Sequence, residues 1–222
     1  RVCTGRELTQ SEKGYVVDTS TEPWRGEIVV MRSDDDDVED DGGAFPFGGE
    51  GVYRPPSAAA AQFLHRRKIL TVNGTHTTLA FLTLAAKEPP PHKGLPRGDY
   101  ELVRCIADES DDDFLDAEEA YRQVWCFAVA RQLLLLFESD VEVAEAALAE
   151  CDDDASSEVK REALVDALLT NARAAIERLG RGGDLTSRVL GAGVVKRYEG
   201  RLLPVAKFLE CAALARSFMK TP

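Results

Sequence analysis

Apolar residues recur at helical spacing through most of the chain from Ala58 onward. The pattern predicts one helix in AAAAQFLHRRKIL, starting at Ala58, and a second in THTTLAFLTLAAK, beginning near Thr75. It also predicts a long, largely buried helix in FLDAEEAYRQVWCFAVARQLLLLFESD. Another follows in SEVKREALVDALLTNARAAIERLG, with Ser157 as the expected N-cap and Gly180 as the stop. A last helix is predicted over residues 204–220.

Extended structure is predicted near the N-terminus, where GEIVVMR, residues 26–32, is rich in β-branched side chains. The Asp-, Gly- and Pro-rich residues 34–57 predict a loop, and the prolines between Glu88 and Gly98 end any helix there. We therefore expect a mainly α, multi-helix fold with a small extended N-terminal element. Residues 1–45 form the expected N-terminal segment, with a short strand and an acidic loop, and residues 46–222 form the expected helical domain.

Composition narrows the class of protein. Hydrophobic residues make up 44% of the 222 residues, which is typical of a globular chain, and the net charge of −12 argues against a nucleic-acid partner. Acidic clusters that begin at Asp34, Asp108 and Cys151 predict solvated loops. A calcium site, the functional alternative, requires Gly and Glu at fixed offsets, and the first cluster lacks them.

The cysteines and the lengths of the apolar runs allow predictions about metal binding, the cellular compartment and membrane insertion. The chain has five cysteines, an odd number, and no pair stands two to four residues apart. This pattern argues against a zinc site and against a disulfide framework, so no bound metal is expected. It also predicts a reducing compartment. The cytoplasm is the first prediction, and a plastid is the alternative. No apolar run reaches membrane-spanning length, so no membrane partner is expected.

The segment RRKILTVNGTHTTLAF places Lys68, Asn73 and His76 in an otherwise apolar stretch. Asn73 and His76 are three residues apart and share a helix face, and Lys68 can converge on them across an expected break at residues 72–74. Burial would lower the pKa of the lysine toward that of a general base, while Asn and His can donate to an oxygen that gains negative charge. The alternative is that Asn73 caps the helix, His76 is a half-buried surface residue and Lys68 reaches solvent.

The K-x4-N-x2-H arrangement in KILTVNGTHTTLAF resembles the signature of the polyol-specific long-chain dehydrogenases. That family includes mannitol 2-dehydrogenase, mannitol-1-phosphate 5-dehydrogenase and hexuronate reductases. The resemblance implies that Lys68 is the catalytic base and that Asn73 and His76 hold the reacting oxygen, without a metal. TEPWRGEIVV, from Thr21, and Phe63, five residues before the lysine, are weaker matches to the same family.

A second segment, DLTSRVLGAGVVK, places Arg188 four residues after Asp184 and Lys196 eight residues after Arg188. The resemblance implies that Arg188 and Lys196 contact the substrate's distal hydroxyls or its charged end. A guanidinium suits a carboxylate, a phosphate or paired hydroxyls. The alternative is an ordinary exposed ion pair on a helix surface.

The resemblance also implies a nicotinamide cofactor, NAD or NADP, held by a Rossmann domain. The glycines near Gly48 and Gly180 form no G-x-G-x-x-G and follow no strand-like run. We therefore expect this chain to be the C-terminal substrate domain, with an upstream Rossmann domain as partner and a polyol, ketose or ketose phosphate as substrate. The alternatives are a hexuronate (tagaturonate or fructuronate) reductase and a non-catalytic helical interaction module.

Overall fold

The computed structural model describes residues 7–11, 14–18, 28–29, 52–53, 55–88, 94–107, 114–148 and 156–219, and most of them are helical. The predicted mainly α, multi-helix class is therefore confirmed. The acidic clusters that begin at Asp34, Asp108 and Cys151 lie outside the described residues, as do Thr21 and Gly48.

The described residues contain eight α-helices. They are α1 (Ala58–Lys68), α2 (Gly74–Lys87), α3 (Phe114–Glu138), α4 (Val141–Leu148), α5 (Ser157–Leu179), α6 (Thr186–Leu190), α7 (Val194–Arg197) and α8 (Leu203–Met219). Two π-helical segments, the first at Ile69–Asn73 and the second at Tyr198–Leu202, join α1 to α2 and α7 to α8. A 3₁₀ turn, Gly191–Gly193, links α6 to α7.

Short strands lie in the N-terminal part. Strands β1 (Glu7–Ser11) and β2 (Gly14–Asp18) pair antiparallel, and β3 (Ile28–Val29) pairs parallel with β4 (Val52–Tyr53). The extended stretch predicted over residues 26–32 is thus a strand at its centre, in β3.

The observed helix boundaries confirm one prediction made from the local sequence and correct two others. Gly180 ends α5 as predicted, with its N–H bonded to the Ile176 carbonyl. The predicted N-cap Ser157 is wrong by one residue, because Ser156 has the extended backbone and its Oγ accepts from the Val159 N–H. The break expected at residues 72–74 is also wrong, since the backbone stays right-handed helical from Lys68 through Gly74.

The core forms where α2, α3 and α5 pack together. Leu79, Val124 and Ile176, one from each helix, are fully buried in a single cluster. An extended segment, residues 100–106, crosses this cluster and bonds to the loop after α5, with the Leu102 N–H on the Asp184 carbonyl at 2.8 Å. These bonds fix the loop that carries Asp184 against this segment. Among the described helices, none is long and apolar enough to cross a membrane.

Candidate functional site

The first π segment sets the relative direction of Lys68 and Asn73. In an α-helix of about 3.6 residues per turn, residues five apart point about 140° away from each other. A π turn, bonded i to i+5, brings residues five apart onto the same face instead. Lys68 immediately precedes this segment and Asn73 is its last residue, while His76 lies one α-helical turn further along. The helix therefore carries all three residues along one face without breaking.

Asn73 does not act as a helix cap. Its backbone is right-handed helical and its side chain makes no capping bond, so the capping alternative fails. The side chain is half-buried, and within the described residues its amide has no hydrogen-bond partner. An unengaged amide on this face can donate to a substrate oxygen.

Lys68 sits at the end of α1 and is partly buried. Burial, and after it the positive charge of Arg178, lower the pKa of Lys68 from its ordinary value of 10.5. Arg178 comes from the last turn of α5, which packs against the first π segment. The amine is therefore easier to deprotonate than an exposed lysine, as a general base requires.

His76 is held by a carboxylate from a distant part of the chain. Its Nε2 lies 2.9 Å from Oδ2 of Asp184, and the same carboxylate bonds to the Arg188 guanidinium through Oδ1. Burial lowers the pKa of His76 below 6.5, while Asp184 opposes that effect. A carboxylate only accepts, so Nε2 carries the proton, and a neutral His76 then offers Nδ1 as an acceptor.

The second π segment packs along the next turn of this face. Arg201 Nη1 lies 3.4 Å from Thr77 Oγ1, and Thr77 Oγ1 donates to the Asn73 carbonyl at 2.7 Å. The Tyr198 ring meets Phe81 edge-on with 5.7 Å between centroids. Sequence reasoning missed Arg201, although it lies only five residues after Lys196, the end of the second motif.

Arg188 and Lys196, the two expected substrate anchors, are placed differently. Arg188 reaches the site through Asp184, with 60% of its side chain exposed. Lys196 is exposed on α7, and no described contact joins it to Lys68, Asn73 or His76. The structure thus brings Arg188 beside His76 and leaves Lys196 apart.

Next to the turn that carries Asn73 lies a buried cation that the sequence did not reveal. Arg131, on α3, is fully buried and its Nη2 donates to Thr78 Oγ1 at 2.5 Å. Burial lowers its pKa to about 9, and its Nε and Nη1 have no partner within the described residues. Its guanidinium lies against Gly74, so that a Cβ there would stand 2.6 Å from Nε. Arg131 therefore packs against the back of the turn that carries Asn73.

The described residues offer no evident metal or dinucleotide site. They contain no group of three or more His, Cys, Asp or Glu side chains that could hold a metal ion. Gly182 and Gly183 adopt positive φ in a loop that follows helix α5 rather than a strand. A phosphate cradle of the dinucleotide-binding kind requires a strand before the glycine turn, so this loop does not fit a nicotinamide cofactor.

Comparison with known proteins adds no relative. No protein-family profile, no curated protein and no solved structure matches the chain.

Proposed function

We propose that this chain is the substrate-binding and catalytic domain of an NAD(P)-dependent polyol dehydrogenase of the mannitol 2-dehydrogenase or mannitol-1-phosphate 5-dehydrogenase type. The observation that carries the proposal is the first π turn, which aligns a partly buried Lys68 with Asn73 and His76. π turns inside α-helices occur frequently at functional sites. The lowered pKa of Lys68 supports the same conclusion.

In the proposed reaction, Lys68 takes the proton from the hydroxyl that is oxidised. The Asn73 amide donates to the same oxygen as negative charge develops, an interaction typically worth about 2.7–4 kcal/mol for one such donor. His76, oriented by Asp184 at 2.9 Å, accepts through Nδ1 from a neighbouring hydroxyl of the substrate, not from the hydroxyl that Lys68 deprotonates. The Arg188 guanidinium, bonded to the same carboxylate, anchors the distal hydroxyls.

The oxidation also requires a hydride acceptor, which a nicotinamide cofactor supplies. The described residues do not fit that cofactor, so the proposal assigns it to a Rossmann domain that precedes this chain in the full-length protein. The roles proposed for Lys68, Asn73 and His76 concern only the proton and the reacting oxygen.

Replacing Lys68 tests this function. Turnover of mannitol and mannitol 1-phosphate with NAD⁺ or NADP⁺ should fall by about 10²–10⁴-fold in Lys68→Ala of the full-length protein. Lys87→Ala is the matched control, because Lys87 is exposed in the last turn of α2 and should leave turnover unchanged. Equal turnover by wild type and Lys68→Ala would remove the lysine from the mechanism, and absence of turnover in the wild type would reject the substrates.

A hexuronate reductase is a second candidate, because the site is rich in cations that suit a carboxylate. Arg178 acts on both Lys68 and His76, and Arg188 acts on His76. Reduction of tagaturonate or fructuronate with NADH, in the same full-length protein, would favour this candidate if both mannitol substrates fail.

The non-catalytic helical module finds support in apolar side chains on the surface of α3. Leu133 is 51% exposed and Phe137 is 81% exposed on this helix. If the full-length protein oxidises no polyol and reduces no hexuronate, this candidate takes precedence.

A further inference from the structure

Two adjacent polar side chains interrupt the apolar buried face of α3. Seven of the nine buried residues of this helix are Ala, Val or Leu, and the other two are Arg131 and Gln132. Gln132 is only 3% exposed, and its Oε1 has no hydrogen-bond partner within the described residues. Burying an unpartnered polar atom destabilises a fold, so packing alone does not account for a glutamine at this position.

The Gln132 amide bonds to the first π segment. Its Nε2 donates to Thr71 Oγ1 at 3.1 Å and to the Ala128 carbonyl at 3.3 Å. Thr71 is fully buried at the centre of Ile69–Asn73, two residues before Asn73. The amide therefore links α3 to the middle of the π turn.

Arg131 contacts the same helix just after the π turn. Its Nη2 donates to Thr78 Oγ1 at 2.5 Å, and Thr78 Oγ1 donates to the Gly74 carbonyl at 3.1 Å. Adjacent residues of α3 therefore hold this helix on both sides of Asn73, before it at Thr71 and after it at Gly74.

The helix between these two contacts is intrinsically weak. π turns are rare and occur mostly as single turns inside α-helices. Thr77 and Thr78 each donate to the carbonyl four residues earlier, and such bonds slightly destabilise a helix and often bend it. A contact from outside the helix can therefore determine the form of this turn.

We propose that Gln132 is a positioning residue that holds the first π turn, and with it Asn73, through the hydroxyl of Thr71. The inference rests on the proposed function only for the role of Asn73, whose amide donates to the reacting oxygen. Without the bond from Gln132 the turn opens more often, and the Asn73 amide is held in place for less of the time.

Native-state hydrogen exchange, measured by NMR on this chain, tests the contact without turnover. Thr71→Val keeps the shape of the side chain but removes the acceptor. The Gly74 N–H, which bonds to the Thr71 carbonyl, should then exchange about tenfold faster relative to the amides of α5. Thr71→Ser keeps the hydroxyl and should largely restore the wild-type rate.

Thr83→Val is the matched control. Thr83 is a buried residue of α2 whose Oγ1 accepts from the Val103 N–H at 2.7 Å, so this variant also leaves a donor without its partner. It should lower the free energy of unfolding but leave the Gly74 exchange rate unchanged relative to α5.

Combining Gln132→Met with Thr71→Val separates positioning from stability. The pair removes the polar atoms of this contact, including the unpartnered Oε1, so the free energy of unfolding should return to near the wild-type value. Gly74 should still exchange about tenfold faster, because the bond from α3 to the turn is gone. Wild-type exchange in the double variant, or equally fast exchange in Thr83→Val, would overturn the proposal. The double variant also decides the matter if Thr71→Val alone does not fold.

Turnover by the full-length protein gives the functional readout. The double variant should lower kcat about tenfold and change KM by less than about twofold, because Asn73 is proposed to donate mainly as charge develops. Wild-type kcat despite fast Gly74 exchange would overturn the positioning role. If the wild type turns over none of the substrates, the proposed function fails, while hydrogen exchange still decides whether Gln132 holds the turn.

Discussion

Gly74→Ala tests whether the turn that carries Asn73 depends on close approach of Arg131. A helical glycine replaced by alanine ordinarily gains roughly 0.5–1 kcal/mol of stability. At Gly74 the new Cβ would lie 2.6 Å from Arg131 Nε and 3.1 Å from both Cδ and Cζ. Arg131 is fully buried and bonded to Thr78, so its side chain cannot move into solvent.

The magnitude follows from these opposing effects. Overpacking of a filled interior costs about 1–3 kcal/mol, and displacing Arg131 also loses its bond to Thr78. Set against the helix-propensity gain, the expected outcome is a net loss of about 1–2 kcal/mol in the free energy of unfolding. Gly200→Ala is the matched control, because Gly200 is exposed in the second π segment with nothing within 4 Å of the new Cβ, and it should stabilise slightly.

Urea unfolding followed by circular dichroism measures both variants. In an Arg131→Ala background the clash with Nε and Cδ disappears, so Gly74→Ala should become neutral or stabilising, and the double-mutant cycle should show coupling. If Gly74→Ala is as stable as Gly200→Ala in the wild-type background, Arg131 does not constrain this turn and the reasoning is refuted.

Three further predictions concern pH and capping. Burial lowers the pKa of His76, so the unfolded chain binds a proton on this residue more readily than the folded chain does. When the pH falls through 6.5, the free energy of unfolding should therefore decrease more in the wild type than in His76→Asn. Equal decreases in the two proteins would contradict this. Because Asp184 raises the pKa of His76, Asp184→Asn should lower it further in an NMR titration, and an unchanged or raised value would count against the contact. Ser57→Ala removes the acceptor of the Ala60 N–H and should lower stability by about 1 kcal/mol in urea unfolding; no loss would mean that this cap is unimportant.

Helix positions could be predicted because apolar spacing is a local signal. The long helix expected around residues 114–138 is α3, and the last predicted helix overlaps α8. Sequence spacing also singled out Lys68, Asn73 and His76 as sharing a site. It could not reveal the π turn, because the backbone there remains in the right-handed helical region and Gly74, which follows the segment, predicted a break instead.

The remaining parts of the site depend on contacts between distant segments. Asp184 meets His76 and Arg201 meets Thr77 only through the packing of α6 and the second π segment on α2. Arg131 lies within a helix whose apolar pattern fits its burial, but an arginine is ordinarily assigned to the surface. Local sequence patterns do not predict the burial of Arg131, because it depends on another helix. Gly74 has no side chain, and the Arg131 guanidinium lies in the space that a side chain there would fill.

Direct NMR titration of the Lys68 side chain tests the central claim, that this amine is a base tuned by burial and by Arg178. In this chain, with Lys68→Arg to assign the signal, Lys68 should deprotonate below the ordinary lysine value of 10.5. Arg178→Gln should raise that pKa, because removing a nearby positive charge favours the protonated amine. A Lys68 that titrates at 10.5 or above, unmoved by Arg178→Gln, would contradict the account.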